Sequence, residues 1–203
     1  MFQPRAWLLL GVIAFSAGFR LIPYLFQYFG TDLNPSSVWY PWSFSPVSAM
    51  FLFGGAHLAN RKVAVFLPLA ALLLSDVLIG ALMGNIWFGL HEFLPAVYLC
   101  YALMACGGIW LRRHLSVTNV ALAAILAEVV FFFVTNFAQW AQGDTYPHDA
   151  AGLWLCFAMA LPFVKNAFLS TALYTTVFFG GWALLDRKVS VGEPAGAMIP
   201  GTE

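Results

Sequence analysis

Charge is what this sequence lacks most. Of its 203 residues, nine are Lys or Arg and nine are Asp or Glu, so 9% are charged and the net charge is zero. Soluble domains carry about 25% charged residues. So few charges cannot cover the surface of a water-soluble globule of this size. A zero balance also gives no reason to expect nucleic acid as a partner. Cysteine is scarce: Cys100, Cys106 and Cys156 are the only three. They form no C-x-x-C or metal spacing and read as small apolar helix residues. Catalytic signatures are missing too. No H-E-x-x-H, nucleophile elbow or P-loop occurs. The chain is therefore not by itself an ATP-driven pump of the common kind, and the expectation is a non-enzyme with no cofactor and no metal.

Apolar residues are present in excess. They make up 62% of the chain, and mean hydropathy is +0.82. This is the composition of an integral membrane protein. Six apolar segments stand out: 6–29, 45–59, 63–83, 94–111, 117–137 and 164–185. The second is shorter than the roughly 20 residues a span needs, yet the Arg61-Lys62 turn after it makes it half of a helical hairpin. A further stretch, 150–161, is shorter again and is set off by Pro162, which predicts an interfacial or re-entrant helix. The expected fold is all-α: a six-transmembrane-helix bundle over 1–188, with a Gly- and Pro-rich disordered tail over 189–203.

Basic residues set the expected topology. Arg5, Arg61, Lys62, Arg112, Arg113, Arg187 and Lys188 fall at one set of ends, and the alternate loops 30–44, 84–93 and 138–163 contain neither Lys nor Arg. The positive-inside rule puts both termini in the cytoplasm of a cell membrane. Trp7, Trp110 and Trp182 then lie near inner ends, and Trp39, Trp42, Trp87, Trp140 and Trp154 near outer ones, an aromatic belt at each interface.

Four charges fall within or beside spans: Arg20, Asp76, Glu128 and Lys165. Asp76 interrupts the run "AALLLSDVLIGALM" over 70–83, about 20 Å from the inner face at 1.5 Å per residue. Glu128 is near mid-membrane. Arg20, Lys165, Asn136 and Asn166 sit toward the outer end. Intramembrane charges are functional candidates by default, so one reading is a polar pocket open to the outside. The other is that the two cations and two acids pair to clamp helices, a role that seldom adds much stability. Either way Asp76 is expected to face the bundle interior beside a cation. The pairs His91-Glu92 and His148-Asp149 lie in outer loops without ligand spacing and read as solvated. Trp39 and Trp42 belong to the aromatic loop "SSVWYPWSF" at 36–44, an interface anchor or a lid that stacks on a ligand. Ala14 and Gly18 form a small-xxx-small pair that permits close helix packing.

Four blocks carry a family resemblance: "FSPVSAMFLFGGA" (44–56), "LLLSDVLIG" (72–80), "FFVTNFAQW" (132–140) and "LPFVKNAFLSTALY" (161–174). They resemble, in the same order, the signature blocks of a functionally uncharacterised family of small bacterial membrane proteins. That family often has Arg in place of Lys165 and Gly-Asp in place of Ser170-Thr171. More distantly, 44–80 is similar to the substrate-binding S components of energy-coupling factor vitamin transporters: an F-S-P-V…G-G-A block, a basic turn, then an apolar helix. That resemblance implies a vitamin-like solute bound in the outer half and capped by the first outer loop. It also implies a transmembrane coupling subunit with ATPases, docked on Ala14 and Gly18.

The sequence therefore predicts a membrane protein that captures a small polar solute from outside. Arg20 and Lys165 would hold an anionic group, Asp76 and Glu128 would accept hydrogen bonds or orient the cations, Asn136 and Asn166 would add neutral contacts, and Trp39 and Trp42 would lie over the ligand. The alternative is a structural or assembly protein whose charges are helix clamps.

Overall fold

A computed structural model describes residues 4–31, 33 and 42–192. They form helices joined by turns, with no strand among them. Trp39 and residues 193–203, most of the expected tail, lie outside the described residues.

The first span is broken. Helix α1 (Pro4–Phe19) stops at Arg20, and α2 (Ile22–Tyr28) continues it. Pro23 has no N–H to give to the carbonyl of Phe19, so the ladder is interrupted where Arg20 sits. Together they make an apolar segment, Ala6–Tyr28, long enough to cross a membrane.

Helix α3 (Val47–His57) is the centre of the molecule. Every residue from Val47 to Gly55 is buried, and α1, α4, α6, α7 and α8 all pack on it. Its sequence is apolar all round, the pattern of a helix with no solvent face. At 11 residues and 1.5 Å each it covers about 16 Å, roughly half a hydrocarbon core. Two glycines let it approach α6. A Cβ on Gly55 would stand 2.3 Å from the carbonyl oxygen of Ala105, and one on Gly108 would stand 2.2 Å from that of Leu52. Its end is closed by Arg112, whose guanidinium donates to the carbonyls of Gly55 (2.8 Å), Leu58 (2.6 Å) and Ala59 (3.0 Å). Those of Gly55 and Leu58 are carbonyls a helix C-terminus leaves without partners, and that of Ala59 follows directly.

Helix α4 (Arg61–Leu82) starts at Asn60, whose side chain accepts from the backbone N–H of Lys62 and Val63. Ala64, Pro68, Leu72, Ser75, Asp76, Ile79 and Gly80 are its buried residues, and their three-to-four spacing defines a single inward face. The short α5 (Ile86–Gly89) folds back on it so closely that a Cβ on Gly89 would lie 1.9 Å from the carbonyl oxygen of Asp76. Then come α6 (Leu94–Leu111), α7 (Val117–Gln142) and α8 (Ala150–Gly192). Among the described residues five apolar segments are long enough to span a membrane, with α3 as a shorter sixth. Leu74, Leu103, Leu126, Phe133, Leu173 and Val177 point outward, as lipid-facing side chains do.

One expectation is corrected. The stretch 150–161 is not a separate helix, because it is the first part of α8, which runs unbroken through Pro162 and is 43 residues long in all. Proline removes one hydrogen bond from an apolar helix, and neighbouring helices and local adjustment make that tolerable. At 1.5 Å per residue α8 is about 65 Å long, twice the thickness of a hydrocarbon core.

Candidate binding site

Asp76 lies on the inward face of α4, fully buried. The break between α1 and α2 points Arg20 at it, and the guanidinium forms an ion pair with Oδ1. The same nitrogen donates to Ser75 Oγ at 3.0 Å, and Ser75 donates onward to the Leu72 carbonyl at 2.7 Å. From α6, Tyr98 donates its hydroxyl to the other carboxylate oxygen, Oδ2, at 2.6 Å. The acid thus has a cation on one oxygen and a phenol on the other. His91, in the turn before α6, faces the same charges. Burial pushes its pKa below the ordinary value, Asp76 opposing the shift and Arg20 adding to it. Its Nδ1 is buried without a hydrogen-bond partner.

Glu128 is buried differently. It is 4% exposed on α7, and Thr171 of α8 donates a hydrogen bond of 2.6 Å to its Oε1. Among the described residues no cation lies within ion-pair distance of it. Lys165, expected nearby, is on the exposed side of α8 and lines no cavity with Glu128. The next residue, Asn166, is turned inward and donates to the Trp42 carbonyl at 3.0 Å, fastening the segment before α3 to α8.

A cavity of about 590 Å³ lies between these elements. Arg20, Tyr24, Trp42, Ser45, Ser48, Tyr101, Glu128, Thr135, Asn136 and Ser170 contribute to its wall, with Phe19, Phe44, Phe131, Phe132, Phe163 and Phe168. Asp76 is not on that wall. It reaches the cavity only through Arg20. Asn136 lines it while its amide donates to the Phe132 carbonyl of its own helix at 2.8 Å. The first turn of α3 also borders the space through Val47 and Ser48, and a helix N-terminus is electropositive. A second cavity, of about 870 Å³, lies toward the Arg112 end between His57, Thr171, Thr175, Trp182 and Asp186. Glu128 and Phe168 line both cavities, so these two side chains stand at the partition between them.

The structure brings Arg20, Glu128, Asn136 and Trp42 to one cavity, holds Asp76 behind Arg20, ties Asn166 to the wall and leaves Lys165 outside. Sequence reasoning missed Tyr98, Ser75 and Thr171, which complete the shells of the two acids. A hydroxyl one turn from a buried acid, as in Ser75-Asp76, is the one signal that was available. Ala14 and Gly18 sit on the exposed side of α1, and a Cβ on Gly18 would meet nothing within 4 Å. The loop histidine His148 is held locally, its Nε2 3.1 Å from the Gly143 carbonyl and its ring against Trp140. Among the described residues no cluster of three His, Cys, Asp or Glu side chains could hold a metal.

Comparison with curated proteins and with solved structures gives no match, so the S-component resemblance gains no support. A family match covers residues 1–195 and so takes in all four signature blocks. The chain belongs to that family, a family of unknown function designated DUF6580.

Proposed function

We propose that this protein binds a small polar solute within the membrane and serves in its uptake. One observation carries the reading: the cavity of about 590 Å³ walled by Arg20, Glu128, Asn136 and Trp42. Small-molecule sites are concave, mostly apolar, several hundred cubic ångströms in volume, and carry a few convergent polar groups. In this reading the chain has six spans, with the short α3 as one of them. Both termini are cytoplasmic in the cell membrane, by the distribution of Lys and Arg, and the cavity faces out. The energy source follows one of two routes. An S-component arrangement would use a coupling subunit and ATPases docked at Ala14 and Gly18, on the exposed side of α1. Otherwise the chain works alone.

A second reading is favoured by one observation. The Arg20–Asp76–Tyr98 network leaves neither Asp76 oxygen unpartnered, as a helix clamp in a structural or assembly protein would. The test separates the two. The intact protein is purified in mild detergent and a retained solute is sought by native mass spectrometry. Retention by the wild type, and its loss in Ala167→Phe, which fills the cavity, supports the binding reading. An empty wild type whose melting temperature is raised by no small solute supports the clamp alone. Reporter fusions at Gly84 and Glu203 test the orientation.

A further inference from the structure

We propose that the group recognised in this cavity is a cation, an aromatic or quaternary ammonium-type group, and not the anion the sequence leads one to expect. The inference rests on reading the cavity as a binding site and assigns its chemistry.

Charge around the cavity is unbalanced. Arg20 lines it, but its guanidinium is already engaged by Asp76. Lys165, the other cation expected there, is on the exposed side of α8 and absent from the wall. Glu128 is on the wall, with Thr171 as its hydrogen-bond donor and no cation within ion-pair distance among the described residues. Among the described residues no other acidic or basic side chain lines the space. One acid therefore remains after Arg20 and Asp76 offset each other. The N-terminus of α3 offsets about half a charge at most, so the sum stays negative. A buried carboxylate needs a partner, and a ligand cation can supply one.

The remaining wall suits the same guest. Tyr24 of α2, Trp42 and Phe44 of the segment before α3, Tyr101 of α6, Phe131 of α7 and Phe168 of α8 put aromatic side chains around the space from five directions. The faces of such rings carry negative quadrupole potential and attract organic cations. An anion would meet Glu128 unfavourably. The partition position of Glu128 adds a consequence: a cation held there lies at the wall of the second cavity, where Thr175 offers a buried hydroxyl without a hydrogen-bond partner.

The test uses two probes of similar size and opposite charge, benzyltrimethylammonium and benzoate, on the full-length protein in detergent. Binding is followed by thermal shift and by tryptophan fluorescence. The cation is expected to bind the wild type and Lys165→Ala equally, and to lose about tenfold or more in affinity in Glu128→Gln. Gln keeps the shape and the acceptor for Thr171. Glu128→Asp, which keeps the charge, should recover part of the loss. Equal binding of the cation to Glu128→Gln and wild type overturns the proposal. So does tighter binding of benzoate, and if Ala167→Phe abolishes that binding the cavity stands as a site of the opposite charge preference. Failure of both probes to bind overturns the cationic assignment, while a retained solute lost in Ala167→Phe would leave the binding reading intact.

Discussion

Asp76 and Glu128 are both buried carboxylates, 0% and 4% exposed, on α4 and α7. Around Asp76 the fold closes. Arg20, Ser75 and Tyr98 come from three helical segments, and α5 packs its backbone onto the same turn. Around Glu128 the fold opens. Thr171 donates one hydrogen bond, and a cavity lies on either side. The difference teaches that an intramembrane acid is not one kind of thing. A carboxylate with every oxygen partnered holds helices together. One with a cavity beside it and no cation is available to a guest.

The comparison breaks most readily at Asp76. Asp76→Ala leaves Arg20, only 26% exposed in its side chain, without its counter-charge. Removing one partner of a buried pair costs several kcal/mol, here about 3. The melting temperature should fall sharply, whereas Glu128→Ala should lower it much less. The double replacement Arg20→Met with Asp76→Leu should recover most of the loss, because an apolar pair of similar volume often matches a buried ion pair. A double variant as unstable as Asp76→Ala would mean that Asp76 does more than clamp.

A smaller effect separates the hydroxyls. Tyr98→Phe leaves one Asp76 oxygen without its donor in a closed site and should cost about 1.5 kcal/mol. Thr171→Val removes the donor to Glu128 beside a cavity where water can replace it, so the loss should stay under about 1 kcal/mol. Denaturation midpoints of the two variants, measured side by side, check the order. The reverse order would place the closed site at Glu128.

How much of this was legible in the sequence is clear from particular residues. The apolar run 94–111 matches α6 end to end, and 63–83 matches α4 within two residues at each end, because long apolar segments have little choice but helix. That Asp76 pairs with a cation, though not which one, was legible from the cost of an isolated charge. The position of Lys165 was not. One residue along a helix turns a side chain by about 100°, so Asn166 faces in and Lys165 faces out, and nothing in the sequence fixes the rotation of α8. Arg112 read as a topology marker, yet it closes the C-terminus of α3, a contact between residues more than 50 positions apart. Pro162 read as a boundary because proline ends helices in water, and here it does not.

Acid should also act on the Asp76 side. His91 has its pKa lowered by burial, so the fold favours its neutral form. As pH falls through its ordinary value of 6.5, the unfolded chain takes up the proton first. Its contribution to stability is complete above that value and declines below it until the folded histidine also titrates. Melting temperature between about pH 8 and 5 should show this slope, and His91→Gln should reduce it. An unchanged slope in that variant would remove His91 from the network. Least affected of all should be Lys165→Ala, at a surface position outside both cavities. Its stability should stay within about 0.5 kcal/mol of wild type. A loss of solute retention there would restore Lys165 to the site and erase the charge imbalance.

The most direct test pairs two variants in one experiment. Asp76→Asn and Glu128→Gln are purified alongside the wild type, and each is measured for melting temperature and for binding of the retained solute or of benzyltrimethylammonium. Asp76→Asn is expected to melt markedly lower and, because Arg20 is then uncompensated at the cavity wall, to lose part of its affinity for the cation but less than Glu128→Gln does. Glu128→Gln is expected to melt close to wild type and to bind about tenfold more weakly or not at all. The opposite pattern, with binding lost at Asp76 and stability lost at Glu128, would contradict the division of roles between the two acids.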